Sequence, residues 1–335
     1  GWLESRDDES LQSWDFAGDY LYRPLNVDYD ANCLDLTDDD WADDDCQGEE
    51  RILQPPPVGC DAERSHRSPE LIAETREVMY SRATTERGDL FEIRVAEFGT
   101  NGFWEDLGDS YQLTLDKVNT RLGKIYKSLR DPTAICHPEA LNNENECVDR
   151  RYMVLFIAEP EIDQGDDLMY IEYHSPGGFE LSTLRPVLEE ADPLPNRYLA
   201  EPFVLFEEDT KKYLVWITTS TSAGKNQLDL LLVDTNEENP LTNDSWALYG
   251  GSPVLVQRDL ELLWPSDARQ VADCSGGCIL RGVSGVVIPS RETSKEELHL
   301  FVGVAERHAD DNPAVHHIRH LIQPFGLPPE FDSGD

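Results

Sequence analysis

The chain has 335 residues and sets 28 basic against 67 acidic side chains, a formal charge of −39 at pH 7, with 39% hydrophobic and 28% charged residues. There is enough apolar material for a core, but so large a negative surface makes nucleic acid and anionic membranes poor partners, because phosphate binding needs clustered Lys and Arg. The length fits a single domain if the chain is a repeat architecture, in which each unit packs only on its neighbours.

Only 7 Lys accompany the 21 Arg. This Lys-poor, Asp-rich balance resembles proteins that work in salty or marine surroundings, where screening weakens self-repulsion; an ordinary acidic secreted protein has the same composition. No apolar stretch approaches the roughly 20 residues of a membrane span. A chain that begins at Gly1 without a Met reads as a processed, secreted protein, and extracellular localisation is the expectation.

Seven cysteines fall in local groups: Cys33, Cys46 and Cys60; Cys136 and Cys147; Cys274 and Cys278. The last two pairs read as loop staples in an oxidising compartment rather than as zinc ligands, since the CxxxC has no matching second half nearby. The odd cysteine belongs to the first group. Asn243-Asp244-Ser245 is a glycosylation sequon in a polar turn.

In chain order, residues 1–75 read as an irregular acidic segment that packs on or closes the rest, residues 76–335. The run Asp38 to Asp45 is a solvated loop by composition; no cofactor is required, although oxygen-rich clusters of this kind also suit calcium. Ser68 can cap a helix from Pro69 to Tyr80. Strand patterning begins at Leu90–Val95 and continues in the alternating Tyr111–Leu115.

From there the chain repeats itself. Arg130-Asp131-Pro132, Ala200-Glu201-Pro202 and Arg281 to Gly285 each precede an apolar β-rich run, a polar turn and a second apolar run. The runs are Tyr152–Ile157 with Leu168–Tyr173, then Tyr213–Ile217 with Leu228–Val233, then Leu298–Val302 with Val315–Ile322. A period of this length built from short strands marks an all-β fold, a β-propeller. Three units span about 127–190, 197–257 and 279–325. A unit before them, and one assembled from the N-terminal segment and the chain end, bring the expected count to five blades and remove exposed edges.

The carboxylate-proline openings resemble the blade-opening motifs of five-bladed propeller glycoside hydrolases, the arabinanase, xylosidase and fructan-hydrolase type, over about residues 127–305. The resemblance implies that Asp131 stabilises the transition state or tunes its neighbour and that Glu201 is the general acid. Glycosidic cleavage needs one carboxyl group protonated and another ionised, and crowding acids on one axis separates their pKa values. The family takes its nucleophile or base from the first blade. No Asp-Pro pair precedes Asp131, and Asp28 is the nearest candidate, with Asp30, Asp15 and Asp19 beside it.

Other residues could line the same pocket. Arg130 adjoins Asp131, His137 follows Cys136, and Ser284 with Gly285 stands in the third opening. Trp104, Trp246 and Trp264 sit among polar or turn residues, where an indole can stack on a sugar face. Trp216 reads as core. His316, His317 and His320 alternate across a strand, so a metal would find at most two of them together. No nucleophile elbow, phosphate loop, dinucleotide fingerprint or HExxH motif is present.

The expected function is a secreted carbohydrate-active enzyme that hydrolyses glycosidic bonds in an acidic pocket. A propeller that binds a sugar or another small molecule without cutting it is the alternative, and a third is different small-molecule chemistry, including oxygen-dependent reactions, in the same pocket. A glycan or small molecule is thus the expected partner, with oligomeric state open.

Overall fold

The computed structural model describes residues 66–72, 75–84, 90–99, 104–142, 147–162, 165–190, 192, 194, 198–207, 212–220, 226–234, 246–249, 252–254, 278–289, 296–306 and 316–324, together with two short strands at 2–5 and 14–18. Those two, β1 (Trp2–Ser5) and β2 (Trp14–Gly18), pair with each other in an antiparallel ribbon.

Four larger antiparallel sheets follow. The first holds β3 (His66–Ile72), β4 (Glu77–Ala83), β5 (Phe91–Phe98) and β6 (Trp104–Asp106) in that order, with the two-residue β7 (Gln112–Leu113) also on β5. Helix α1 (Leu115–Leu122) comes next. Thr114 caps it, accepting the Lys117 N–H at 3.3 Å, and Gly123 stops it in left-handed backbone, φ 67°.

The second sheet runs β8 (Tyr126–Cys136), β9 (Arg151–Pro160), β10 (Asp167–His174) and β11 (Gly178–Leu188). The third runs β12 (Tyr198–Glu207), β13 (Lys212–Ser220), β14 (Asn226–Asp234) and β15 (Trp246–Leu248). The fourth has β16 (Cys278–Pro289), β17 (Glu296–Glu306) and β18 (His316–Pro324). Each is a meander of consecutive strands, the blade pattern that the repeat announced.

The all-β class and the three repeat spans agree with the sequence, while other expectations are corrected. Four such sheets lie among the described residues, not five. β18 registers with β17 over nine residue pairs, from Glu297↔Pro324 to Ala305↔His316, within the fourth sheet, and the residues after Pro324 from which a closing unit was expected lie outside the described residues. The expected helix from Pro69 to Tyr80 is instead the β3–β4 hairpin, because its apolar residues pair across two strands, Leu71 opposite Val78 and Ile72 opposite Glu77. The expected strand at Tyr111–Leu115 is cut to β7, since the Thr114 cap turns the chain into α1.

The strands gather into two compact units, residues 1–154 with 171–184, and 155–170 with 185–335. In the first, Val78, Tyr80 and Ala96 form a buried cluster with Phe98 against it. In the second, Leu214, Trp216, Leu228, Leu230, Val283 and Leu300 pack together, and Phe203 tilts over Trp216 at 5.7 Å. Trp216 is therefore core, as its neighbours implied.

The burial pattern explains the sequence pattern. Tyr213 to Thr219 of β13 and Tyr152 to Ala158 of β9 are buried without a break, so these middle strands read as continuous apolar runs, whereas the edge strand β11 mixes exposed and buried positions. Burying each large aliphatic or aromatic side chain contributes about 1.5–3 kcal/mol.

Candidate functional site

The leading strands of the sheets share a backbone irregularity, and the register shows where it falls. Arg67 pairs with Ser81 and Glu70 with Met79, so Ser68-Pro69 bulges out of β3. Ala200 pairs with Thr218 and Phe203 with Trp216, so Glu201-Pro202 bulges out of β12. Leu280 pairs with Val304 and Val283 with Val302, so Arg281-Gly282 does the same in β16. The step thus reads Ser68, Glu201 and Arg281. Asp131, with the same following proline in β8, matches it in sequence and in backbone.

That backbone is unusual. Asp131 has φ 55° and Glu201 φ 49°, in the left-handed region that L-residues avoid. Arg76, Arg150 and Glu190 also have positive φ, but they sit at turns or strand entries. Among the described non-glycine residues only the two carboxylates hold this conformation inside a strand. A proline directly after each removes the ladder donor that a regular strand would require there.

Asp131 is buried. Its N–H donates to Ser81 Oγ at 2.9 Å, and its Oδ2 accepts from Arg130 Nη1 at 2.9 Å. Arg130, expected on the ligand, is thus a partner of Asp131 itself. Ser81 is fully buried on β4 and was not anticipated. Glu201 is half-buried on β12.

Glu70 is a second unanticipated acid. It follows the Ser68-Pro69 bulge, and its Oε1 accepts from Thr133 Oγ1 and from the Ala134 N–H, both at 3.4 Å, just beyond Asp131 on β8. Burial pushes the Glu70 carboxyl up to about 7, against the lowering pull of those two bonds.

The remaining sequence candidates fall in different places. His137 is buried, and its Nδ1 accepts the Glu139 N–H at 3.2 Å, capping the short 3₁₀ turn Pro138–Ala140. Burial, and then the Arg151 guanidinium, hold its imidazole below the usual range. Ser284 is exposed and pairs with Phe301, two residues past the Arg281-Gly282 bulge, so Arg281 and not Ser284 occupies the step that matches Glu201. Gly285 is tightly packed: an added Cβ would stand 3.0 Å from the His299 carbonyl oxygen and 3.1 Å from Phe203 Cε1.

Trp104 opens β6 opposite Phe98, and Trp246 is buried at the start of β15. Asp28 and Trp264 lie outside the described residues, as do the acidic run and Cys274. Cys136 and Cys147 form the expected disulfide, 5.7 Å between Cα atoms. No group of three or more His, Cys, Asp or Glu able to hold a metal occurs among the described residues.

The signal for Ser68 was in the sequence. Arg67-Ser68-Pro69 parallels Arg130-Asp131-Pro132, with the carboxylate replaced by a hydroxyl-bearing residue.

The sequence matches no protein-family model and no curated protein. Solved structures are similar in fold. BT0996, in a complex with RGII, aligns with TM-score 0.50 at 12% identity over 77% of this chain and 71% of its own. Zg3597, a family 117 glycoside hydrolase of the marine bacterium Zobellia galactanivorans, aligns at TM-score 0.46 and 12% identity over 79% and 70%. The native Arb43A arabinanase of Bacillus subtilis aligns at 0.44 and 11% over 80% and 75%. The likeness is distant and is one of fold alone.

Proposed function

We propose that the chain is a carbohydrate-active enzyme that hydrolyses glycosidic bonds, with Glu201 as the proton donor to the leaving oxygen and Asp131 as a second catalytic carboxylate. One observation carries this reading: the two in-strand non-glycine residues held in left-handed backbone are the two carboxylates that stand directly before a proline in the leading strands of their sheets. Each such conformation costs of order 1–3 kcal/mol and persists where a function over-determines it. The Arg130 guanidinium holds the Asp131 carboxylate in an ion pair at 2.9 Å. The base that activates water falls to the N-terminal segment, where Asp28 is the candidate. An extracellular setting suits the charge of −39 and the Cys136–Cys147 bridge.

A second reading, a propeller that binds glycan without cutting it, is favoured by Ser68. It stands at the first sheet's bulge, where the glycosidase resemblance calls for a carboxylate.

Release of reducing ends from arabinan, xylan and fructan separates the two. The hydrolase reading expects turnover of at least one polymer, reduced about 10³-fold or more by Glu201→Gln with the fold retained. Equal turnover by the variant sinks it. Saturable binding of a polymer without any turnover establishes the second reading instead.

A further inference from the structure

We propose that the open end of one face of the first sheet is a binding site for a carboxylate-bearing small molecule, held by the guanidinium of Arg94 with Arg82 beside it. The inference stands independently of glycoside hydrolysis.

The β4–β5 register pairs Tyr80 with Arg94 and Arg82 with Glu92, and the period of two puts all four side chains on one face. Ala96 continues that face and pairs with Asp106 of β6. One end of the face is apolar, with Val78, Tyr80, Ala96 and Phe98 packed together. The other end opens into a cavity of about 280 Å3 lined by Arg82, Ala83, Thr84, Glu92 and Arg94.

The charges around this cavity are unequally matched. Asp106 is engaged twice: the Tyr80 hydroxyl donates to its Oδ1, and Arg82 Nη1 donates to its Oδ2 at 3.3 Å. Glu92 is engaged through Oε1, which accepts the Leu115 N–H at 2.9 Å where α1 begins. Its other oxygen stands 3.8 Å from Arg94 Nη2, an ion pair too long for a hydrogen bond.

Arg94 is therefore the under-satisfied member. Its Nε is buried and has no hydrogen-bond partner among the described residues. A buried donor without an acceptor is the group that a ligand satisfies with most gain. Nε–H and the neighbouring Nη–H of a guanidinium form a planar fork, which matches the two coplanar oxygens of a carboxylate. A point cation would not impose that shape; Arg94 does.

The chemistry fixes a carboxylate but leaves its bearer open: an acidic sugar or a simple organic acid. Titration calorimetry of the full chain with glucuronate, acetate and glucose distinguishes them. Saturable binding of glucuronate and not of glucose is expected, weakened about tenfold or more by Arg94→Gln and also by Arg94→Lys, which keeps the charge and loses the fork. Acetate binding alongside glucuronate identifies the carboxylate as sufficient, while binding of glucuronate alone identifies an acidic sugar. Glucose binding as tightly as glucuronate, no saturable binding of either acid, or unchanged affinity in a folded Arg94→Gln variant overturns the proposal. Absence of saturable glucuronate binding to the unaltered chain overturns the proposal even where the variants fail to fold.

Discussion

The backbone N–H of Asp131 donates to Ser81 Oγ at 2.9 Å. Left-handed backbone inside a strand turns the N–H away from the ladder, and a buried N–H there must find another acceptor. Ser81 supplies it from β4, where it pairs with Arg67, the residue just before the neighbouring bulge. One hydroxyl thus links β4 of the first sheet to β8, the leading strand of the second.

Replacing Ser81 by Ala removes the acceptor and leaves the Asp131 N–H buried and unmatched. The expected cost is about 1–3 kcal/mol, read as a lower urea midpoint with an unchanged slope. Ser81→Thr, which keeps the hydroxyl, recovers part of the loss. An Ala variant as stable as the parent would show that the bond contributes nothing.

The left-handed backbone at Glu201 makes a prediction of opposite sign. Glycine adopts φ 49° without steric cost, whereas an L-residue there is strained by about 1–2 kcal/mol. Glycine also gives the unfolded chain about 0.5–1 kcal/mol more entropy to lose. Glu201→Gly is therefore expected to be neutral to about 1 kcal/mol more stable by denaturant unfolding, while glycan turnover is lost. A variant destabilised by more than about 1 kcal/mol would show that Glu201 is retained for its packing instead.

Much of this was legible in the chain itself. The middle strands β9 and β13 are buried on both faces, so their apolar runs stand out, and the spans of three sheets follow from them. The first sheet was harder to read. Ser68-Pro69 is followed by residues compatible with a helix, and a serine before proline is also a helix start; what decides for a strand is the pairing of Leu71 with Val78 across the hairpin. Helix α1 left its own signal, Thr114 before it and Gly123 after it, but the alternation of Tyr111 to Leu115 masked the start. Ser284 reads as the matching step in sequence because register cannot be counted without the partner strand. The contact of Glu70 with Thr133 spans 63 residues, and no local pattern encodes it.

That contact sets a pH dependence. The Glu70 carboxyl is raised from 4.5 to about 7 in the folded chain, so the folded state holds a proton that the unfolded state releases. Its contribution is fully present below about pH 4.5 and is lost as pH rises through about 7. The shift amounts to as much as about 3 kcal/mol across that window. Glu70→Gln keeps an acceptor for Ala134 and cannot ionise. The variant should show a flatter stability curve between pH 5 and about 7.5 and exceed the parent in stability at pH 8. Parallel curves for the two proteins would show that Glu70 does not titrate in this range.

The Cys136–Cys147 bridge closes a loop with a sequence separation of 11, and other bonds already shape that loop. Val148 N–H donates to the Ala140 carbonyl at 3.0 Å, and Arg151 Nη1 reaches Glu139 Oε2 at 3.0 Å. Those contacts do not involve the two sulfurs, so the bridge is expected to act chiefly by restricting the unfolded chain, worth about 3 kcal/mol for a loop of this size. The double variant Cys136→Ser/Cys147→Ser is expected to unfold at a lower guanidinium concentration by about that free energy. Adding dithiothreitol should lower the parent's midpoint by more than it lowers the variant's, the difference being the contribution of this bridge. A parent indifferent to reductant, or a variant as stable as the parent, would show that the bonds around Glu139 and Ala140 hold the loop without it.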